Sequence, residues 1–170
     1  MDIWGPALLR WFHFLAGIMW IGLLYFFNFV NAQAVKEATA AGEAAPISKY
    51  IMPRALLFFR WSAVATWIMG AGLLSTMNYE GTNGFLAAIT LKGAMAPIGL
   101  GALLGTIMLI NVWTFIWMNQ KKILGIVPAT DEEKVKARRT AFLASRANVM
   151  LSIPMLFFMG SSHFAQVFVR

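Results

Sequence analysis

The sequence contains no cysteine and few charged residues. Of its 170 residues, 12% are charged, whereas about 25% is usual for soluble domains. The lack of cysteine excludes disulfides, iron–sulfur clusters, thiolate-bound metals and a cysteine nucleophile. Redox chemistry in this chain would therefore require histidine ligands and a bound cofactor.

Apolar residues dominate the composition. They make up 59% of the chain, and the mean hydropathy is +0.67. This composition predicts an all-α integral membrane protein. Because one spanning helix needs about 20 apolar residues, the length suits a single four-helix bundle without a second domain. The predicted helices cover about 7–31, 55–77, 97–118 and 147–169.

The cations are divided unevenly between the two ends of the predicted bundle. The 32–54 loop, the start of the second helix and the 119–146 segment hold eleven: Lys36, Lys49, Arg54, Arg60, Lys121, Lys122, Lys134, Lys136, Arg138, Arg139 and Arg146. The other end holds Arg10, Lys92 and Arg170. By the positive-inside rule, both long loops are expected in the cytoplasm and both termini in the periplasm of a bacterial inner membrane. The net charge of +7 is thus a topology signal, and we exclude nucleic acid as a partner.

Three local patterns add detail to this topology. Thr130 and Glu133 are spaced as a capping box, which predicts a helix that continues into the last span. Gly101 and Gly105 have the small-xxx-small spacing that lets another helix approach closely. Arg60 lies near the end of its span and is expected to anchor in the headgroups.

The chain has two histidines, His13 and His163, and both lie inside apolar runs. His13 is about six residues into the first predicted helix, and His163 is about six from the end of the last. In a four-helix chain these positions lie at the same face, both roughly 9 Å below the surface. Two imidazoles at matched depth predict the axial ligands of a b-type haem held between helices.

The neighbours of the histidines fit a haem site. Gly17 and Gly160 provide space on the two ligand faces, and Arg10 and Arg170 are cations near the expected propionates. Several methionine and aromatic residues are candidates for an apolar lining, although core or lipid-facing positions are the simpler interpretation. They are Met19, Met155, Met159, Phe12, Phe14, Trp20 and Phe164.

An alternative is that the histidines only form hydrogen bonds with backbone groups or with hydroxyls such as Ser161 and Ser162. The protein would then be a non-catalytic accessory subunit of a larger respiratory or photosynthetic complex. A zinc site is disfavoured because two histidines without an intramembrane carboxylate are too few ligands.

Three segments resemble the membrane domain of the bacterial membrane-bound urate oxidase family. They are RWFHFLAGIMWIGLLYFFNFV at 10–30, NVWTFIWMNQKKILG at 111–125 and SIPMLFFMGSSHF at 152–164. The resemblance implies an oxidoreductase or a subunit of one, with His13 and His163 at the positions of the family's histidines. Full-length members are longer and carry a cytochrome c domain, whereas this sequence has no CxxCH. We therefore expect the haem-binding module, with a periplasmic cytochrome c, a larger complex or a second copy as partner.

A weaker similarity is to the four-helix, haem-binding protoporphyrinogen oxidase of bacteria. Trp20, Gly22, Leu23 and Tyr25 fit its pattern after the histidine-bearing start of the first helix. The PRLFVYH continuation of that family is replaced by FFNFVNA. This resemblance implies a porphyrinogen-oxidising enzyme as the second alternative.

Overall fold

The architecture, in a computed structural model that describes residues 4–168 and their side chains up to Ser161, is all-helical apart from one small hairpin. Its helical segments include four that are long and apolar enough to cross a membrane. This result confirms the predicted multi-pass four-helix membrane protein. The helices are α1 (Trp4–Ala40), α2 (Ile47–Ser75), α3 (Gly84–Ile89), α4 (Gly93–Ile123) and α5 (Asp131–Phe168).

Three of the spanning helices contain a π-helical segment. In α1 it is Phe26–Asn31, in α2 it is Ile47–Ile51, and in α4 it is Val112–Trp117. Asn28 donates its side-chain amide to the carbonyl of Leu24 at 2.8 Å within the first of these segments. This bond supplies a partner where the wider turn weakens the regular hydrogen-bond ladder.

The long loop predicted over 32–54 is mostly helical. The α-helix Ala32–Ala40 continues α1, and α2 already begins at Ile47, so the connection shrinks to 41–46. The sequence AQAVKEATA is polar, but alanine, glutamine, lysine and glutamate all favour helix. Polarity therefore marked the end of the apolar run and not the end of the helix.

A compact connection joins α2 to α4. Two short strands, β1 (Asn78–Tyr79) and β2 (Thr82–Asn83), form an antiparallel hairpin around Glu80 and Gly81. Both turn residues have positive φ, 52° and 75°, as a two-residue hairpin turn requires. Asn83 then caps α3 by accepting a 2.9 Å bond from the backbone N–H of Phe85.

The start of α5 confirms the predicted capping box. The Thr130 hydroxyl accepts from the Glu133 N–H at 3.2 Å, and the Glu133 carboxylate accepts from the Thr130 N–H at 3.0 Å. From Asp131, α5 runs for 38 residues without interruption and includes Pro154. The charged segment and the last span therefore form one helix, as the sequence predicts.

The bundle consists of two close pairs, α1 against α2 and α4 against α5. At Gly101, an added Cβ would lie 3.2 Å from the backbone nitrogen of Met159 in α5, which confirms a close approach. At Gly105, the same test meets no atom within 4 Å. The core between the pairs consists of Trp20, Leu24, Phe59, Ala63, Met108, Val112, Ile116 and Met155.

A layer of buried and half-buried polar side chains connects α1, α4 and α5 inside the apolar zone. Asn28 donates to the Ser145 hydroxyl at 2.7 Å. The Asn111 side-chain amide donates to Oδ1 of Asn148 at 2.7 Å. The Asn148 side-chain amide in turn donates to the backbone carbonyl of Met108 at 3.1 Å. Asn148 is fully buried. We call Asn28, Asn111, Ser145 and Asn148 the polar layer.

We predict that Asn148→Leu destabilises the bundle by about 1–2 kcal/mol, the upper range for interhelical hydrogen bonds in membranes. The substitution keeps the number and branching of the side-chain heavy atoms but removes both bonds to α4. Asn119→Leu is the matched control, because Asn119 bonds only the Phe115 carbonyl of its own helix among the described residues. Unfolding in mixed micelles measures the difference, and equal stability of the two variants would contradict a structural role for the layer.

Candidate functional site

His13 of α1 is half-buried against α2. Its Nδ1 lies 2.8 Å from the backbone carbonyl oxygen of Thr66. A carbonyl can only accept, so Nδ1 must carry the hydrogen and donate it. In the neutral imidazole the lone pair is then on Nε2. The contact with α2 thus fixes the tautomer of His13.

Gly70 makes this contact possible. It lies four residues after Thr66, at the helix position whose side chain would cover the Thr66 carbonyl. A Cβ added at Gly70 would lie 2.8 Å from Cε1 and 2.9 Å from Nδ1 of His13. These distances are too short for any side chain, so glycine is required for the imidazole to reach the carbonyl.

The wall beside His13 is also made by small groups. An added Cβ at Gly17 would meet the Thr66 methyl at 3.7 Å, an ordinary contact, so Gly17 faces α2. The Thr66 hydroxyl donates to the Ser62 carbonyl of its own helix at 2.7 Å. At Gly72, an added Cβ would lie 3.3 Å from a methyl group of Leu9. Gly17 therefore lies in the α1–α2 contact, but the contact would also accommodate a Cβ at this position.

Among the side chains that the structure describes, none forms a hydrogen bond with Nε2 of His13. Histidines that bind metals commonly donate one ring N–H to a backbone carbonyl and coordinate through the other nitrogen. The bond to Thr66 is also what the hydrogen-bonded alternative expects. What favours a ligand role is that this bond uses Nδ1 and leaves the Nε2 lone pair available.

The remaining residues of the predicted site belong to the last helix and the C-terminus. His163 is part of α5, but its side chain lies outside the described residues, and so does Arg170. Gly160 is half-buried, three residues before His163. In the part of the chain whose side chains are described, no group of three or more His, Asp or Glu could hold a metal ion.

The other predicted neighbours of the site divide between the core and the surface. Arg10 is exposed and lines a shallow depression with Trp11 and Phe14. Trp20 and Met155 are core residues, with 3% and 5% exposure. The outer surface of α1 includes Phe12, Phe14 and Met19, while Met159 packs against Gly101 and Phe164 lies outside the described side chains.

Two residues of the site, Thr66 and Gly70, have no distinctive signal in the sequence. Thr66 contributes a backbone carbonyl, which any residue could supply. Gly70 stands in the small-residue run Gly70–Gly72, which is a common feature of spanning helices. The contact of Gly70 with a histidine follows only from the packing of α1 against α2, which puts His13 beside it.

Comparison with known proteins gives one family. No curated protein and no solved structure matches the chain. The family model described as urate oxidase N-terminal matches residues 1–96 and 82–170, two overlapping segments that together cover the whole chain. The first includes α1 and α2, and the second includes α4 and α5. With both helix pairs matched, the chain belongs to the urate oxidase N-terminal family.

Proposed function

We propose that this protein is a membrane electron carrier that binds haem b between His13 and His163 and is related in function to urate oxidation. The observation that carries the proposal is the 2.8 Å bond from His13 Nδ1 to the Thr66 carbonyl. It leaves Nε2 as the coordinating nitrogen and orients the ring. The donor set fits haem because only two protein nitrogens are needed at the iron.

The register between α1 and α5 supports the pairing of the two histidines. Tyr25 of α1 and Ser152 of α5 share a 3.0 Å hydrogen bond. His13 lies twelve residues before Tyr25, and His163 lies eleven residues after Ser152. In antiparallel helices these steps correspond to about 18 Å and about 17 Å in the same direction. The two backbone positions are therefore expected at nearly the same height.

Each residue of the site would have a separate task. The Thr66 carbonyl would hold the His13 ring in one orientation with Nε2 directed to the iron. Arg10, together with Arg170, would neutralise the propionates, and Gly160 would leave space on the α5 side. Bound haem would supply one-electron redox chemistry.

The distribution of cations supports a position of this site toward the periplasm. Eleven of the fourteen lysine and arginine residues belong to the opposite end of the bundle, which the positive-inside rule assigns to the cytoplasm. In a bacterial inner membrane, a haem near the termini would be close enough to exchange electrons with a periplasmic cytochrome c. The end of the bundle that contains the start of α1 and the end of α5 would face that partner.

We predict that His13→Ala and His163→Ala each abolish haem retention, because each removes one axial nitrogen. Arg60→Gln is the control and should keep the haem, since Arg60 lies over the Trp117 ring of α4, six residues before Thr66 on α2. The measurement is the absorption spectrum of detergent-purified protein, oxidised and dithionite-reduced, after haem reconstitution. Full haem content in either histidine variant would rule out bis-histidine ligation.

We also predict that Gly70→Ala lowers haem affinity by about 10- to 100-fold, as loss of an outer-shell partner usually does. The new methyl group would push the His13 ring away from the Thr66 carbonyl. Because the imidazole loses the acceptor of its Nδ1–H, it should donate less electron density to the iron, and the reduction potential should rise. Gly22→Ala is the matched control, since an added Cβ there meets nothing within 4 Å. Unchanged affinity and potential in Gly70→Ala would show that the Thr66 bond does not serve the haem.

A further inference from the structure

A row of aromatic contacts connects α2 to α4. The Trp67 indole donates to the Thr106 hydroxyl at 2.9 Å. The rings of Trp61 and Trp113 meet edge to face, with centroids 5.5 Å apart. At the end of the row near the charged loops, the guanidinium carbon of Arg60 lies 3.7 Å from the centre of the Trp117 ring. We call this row the α2–α4 seam.

Arg60 is held in place at the end of the seam without an acidic partner. Among the residues that the structure describes, no carboxylate lies within ion-pair distance of Arg60 and no acceptor bonds its N–H groups. It lies inside the spanning helix Ile47–Ser75. A charge at this depth is costly unless it is paired with an anion or reaches water. The cation–π contact with Trp117 fixes the position of the charge but does not neutralise it.

Two acidic residues at the start of α5 are engaged by groups other than Arg60. The Glu133 carboxylate pairs with Lys122 at 3.6 Å and accepts the Thr130 N–H. Asp131 pairs with Lys134 at 3.4 Å. Because no described carboxylate pairs with Arg60, an anion for it must come from outside the described part of the chain. A long arginine side chain inside a span can extend toward the headgroups, where the abundant anion is the phosphate of a membrane lipid.

A second cation lies close to the same end of the seam. Lys121 follows Trp117 by four residues, so the two share one face of α4. Its ammonium group forms no ion pair with any described residue. A lipid phosphate at Arg60 would therefore meet two positive charges, which favours a headgroup with net negative charge over a zwitterionic one.

We propose that the Arg60 end of the α2–α4 seam binds the headgroup of an anionic phospholipid. The indole of Trp117 covers one face of the guanidinium, which leaves the N–H groups along its edge free to donate to phosphate oxygens. Lys121 adds attraction and selectivity for a negative headgroup. The site is separate from the proposed haem site, since Arg60 precedes Thr66 by six residues of α2, about 9 Å toward the charged loops, and its ring contact is with Trp117.

The test measures the melting temperature of the protein in detergent while short-chain phosphatidylglycerol, short-chain phosphatidylcholine or inorganic phosphate is added. We expect phosphatidylglycerol to raise the melting temperature of the unsubstituted protein much more than the other two do. Arg60→Gln should weaken the apparent affinity for phosphatidylglycerol at least about fivefold, the effect of one cation near a lipid surface. Arg54→Gln is the control and should change little, because Arg54 is exposed and donates to the Tyr50 carbonyl.

Three results would overturn the proposal. They are equal stabilisation by phosphatidylcholine and phosphatidylglycerol, an equal effect of inorganic phosphate, and an unchanged lipid preference in Arg60→Gln. Trp117→Leu provides a second test that keeps the charge of Arg60 but removes the surface on which it lies. It should also weaken the preference, and full retention would overturn the role of Trp117. Haem content in the same samples reports separately on the haem proposal.

Discussion

The hydrogen bonds from α1 to α5 are the interactions on which the arrangement of this bundle depends. Lipid chains are as apolar as the helix surfaces, so the hydrophobic effect does not select one register between spanning helices. Asn28 with Ser145 and Tyr25 with Ser152 join the α1–α2 pair to the α4–α5 pair at defined heights. The same register determines the height of His13 relative to the backbone of α5. A polar layer near mid-bundle thus controls geometry at the end of the bundle.

Much of the fold could be predicted because membranes impose simple rules on sequence. Apolar runs of sufficient length located the four spans, and local side-chain chemistry located the Thr130–Glu133 capping box. Both signals depend on residues close together in the chain. The resemblance to the urate oxidase membrane domain also rested on local motifs, and the family match confirms it. The pairing of His13 with His163 remains a prediction.

The contacts between helices could not be predicted from the sequence in the same way. Gly70 matters because it faces His13, and no pattern in either helix indicates which helices are neighbours. The continuation of α1 to Ala40 was missed because a polar segment at a membrane surface can be helix or loop, and helix propensity decided the outcome. Likewise, nothing in the sequence pairs Trp117 with Arg60, because their contact joins two different helices.

The length of α5 has a mechanical consequence. Its 38 residues rise about 57 Å, nearly twice the thickness of the hydrocarbon layer. A helix of this length behaves as a stiff rod, so a tilt applied at its charged end near Asp131 must also move its other end, which includes His163. Pro154 is the point where this rod is weakest, because proline removes one hydrogen bond of the helix. The rod could thus transmit strain from one membrane surface toward the other, and its bending would be concentrated between the polar layer and His163.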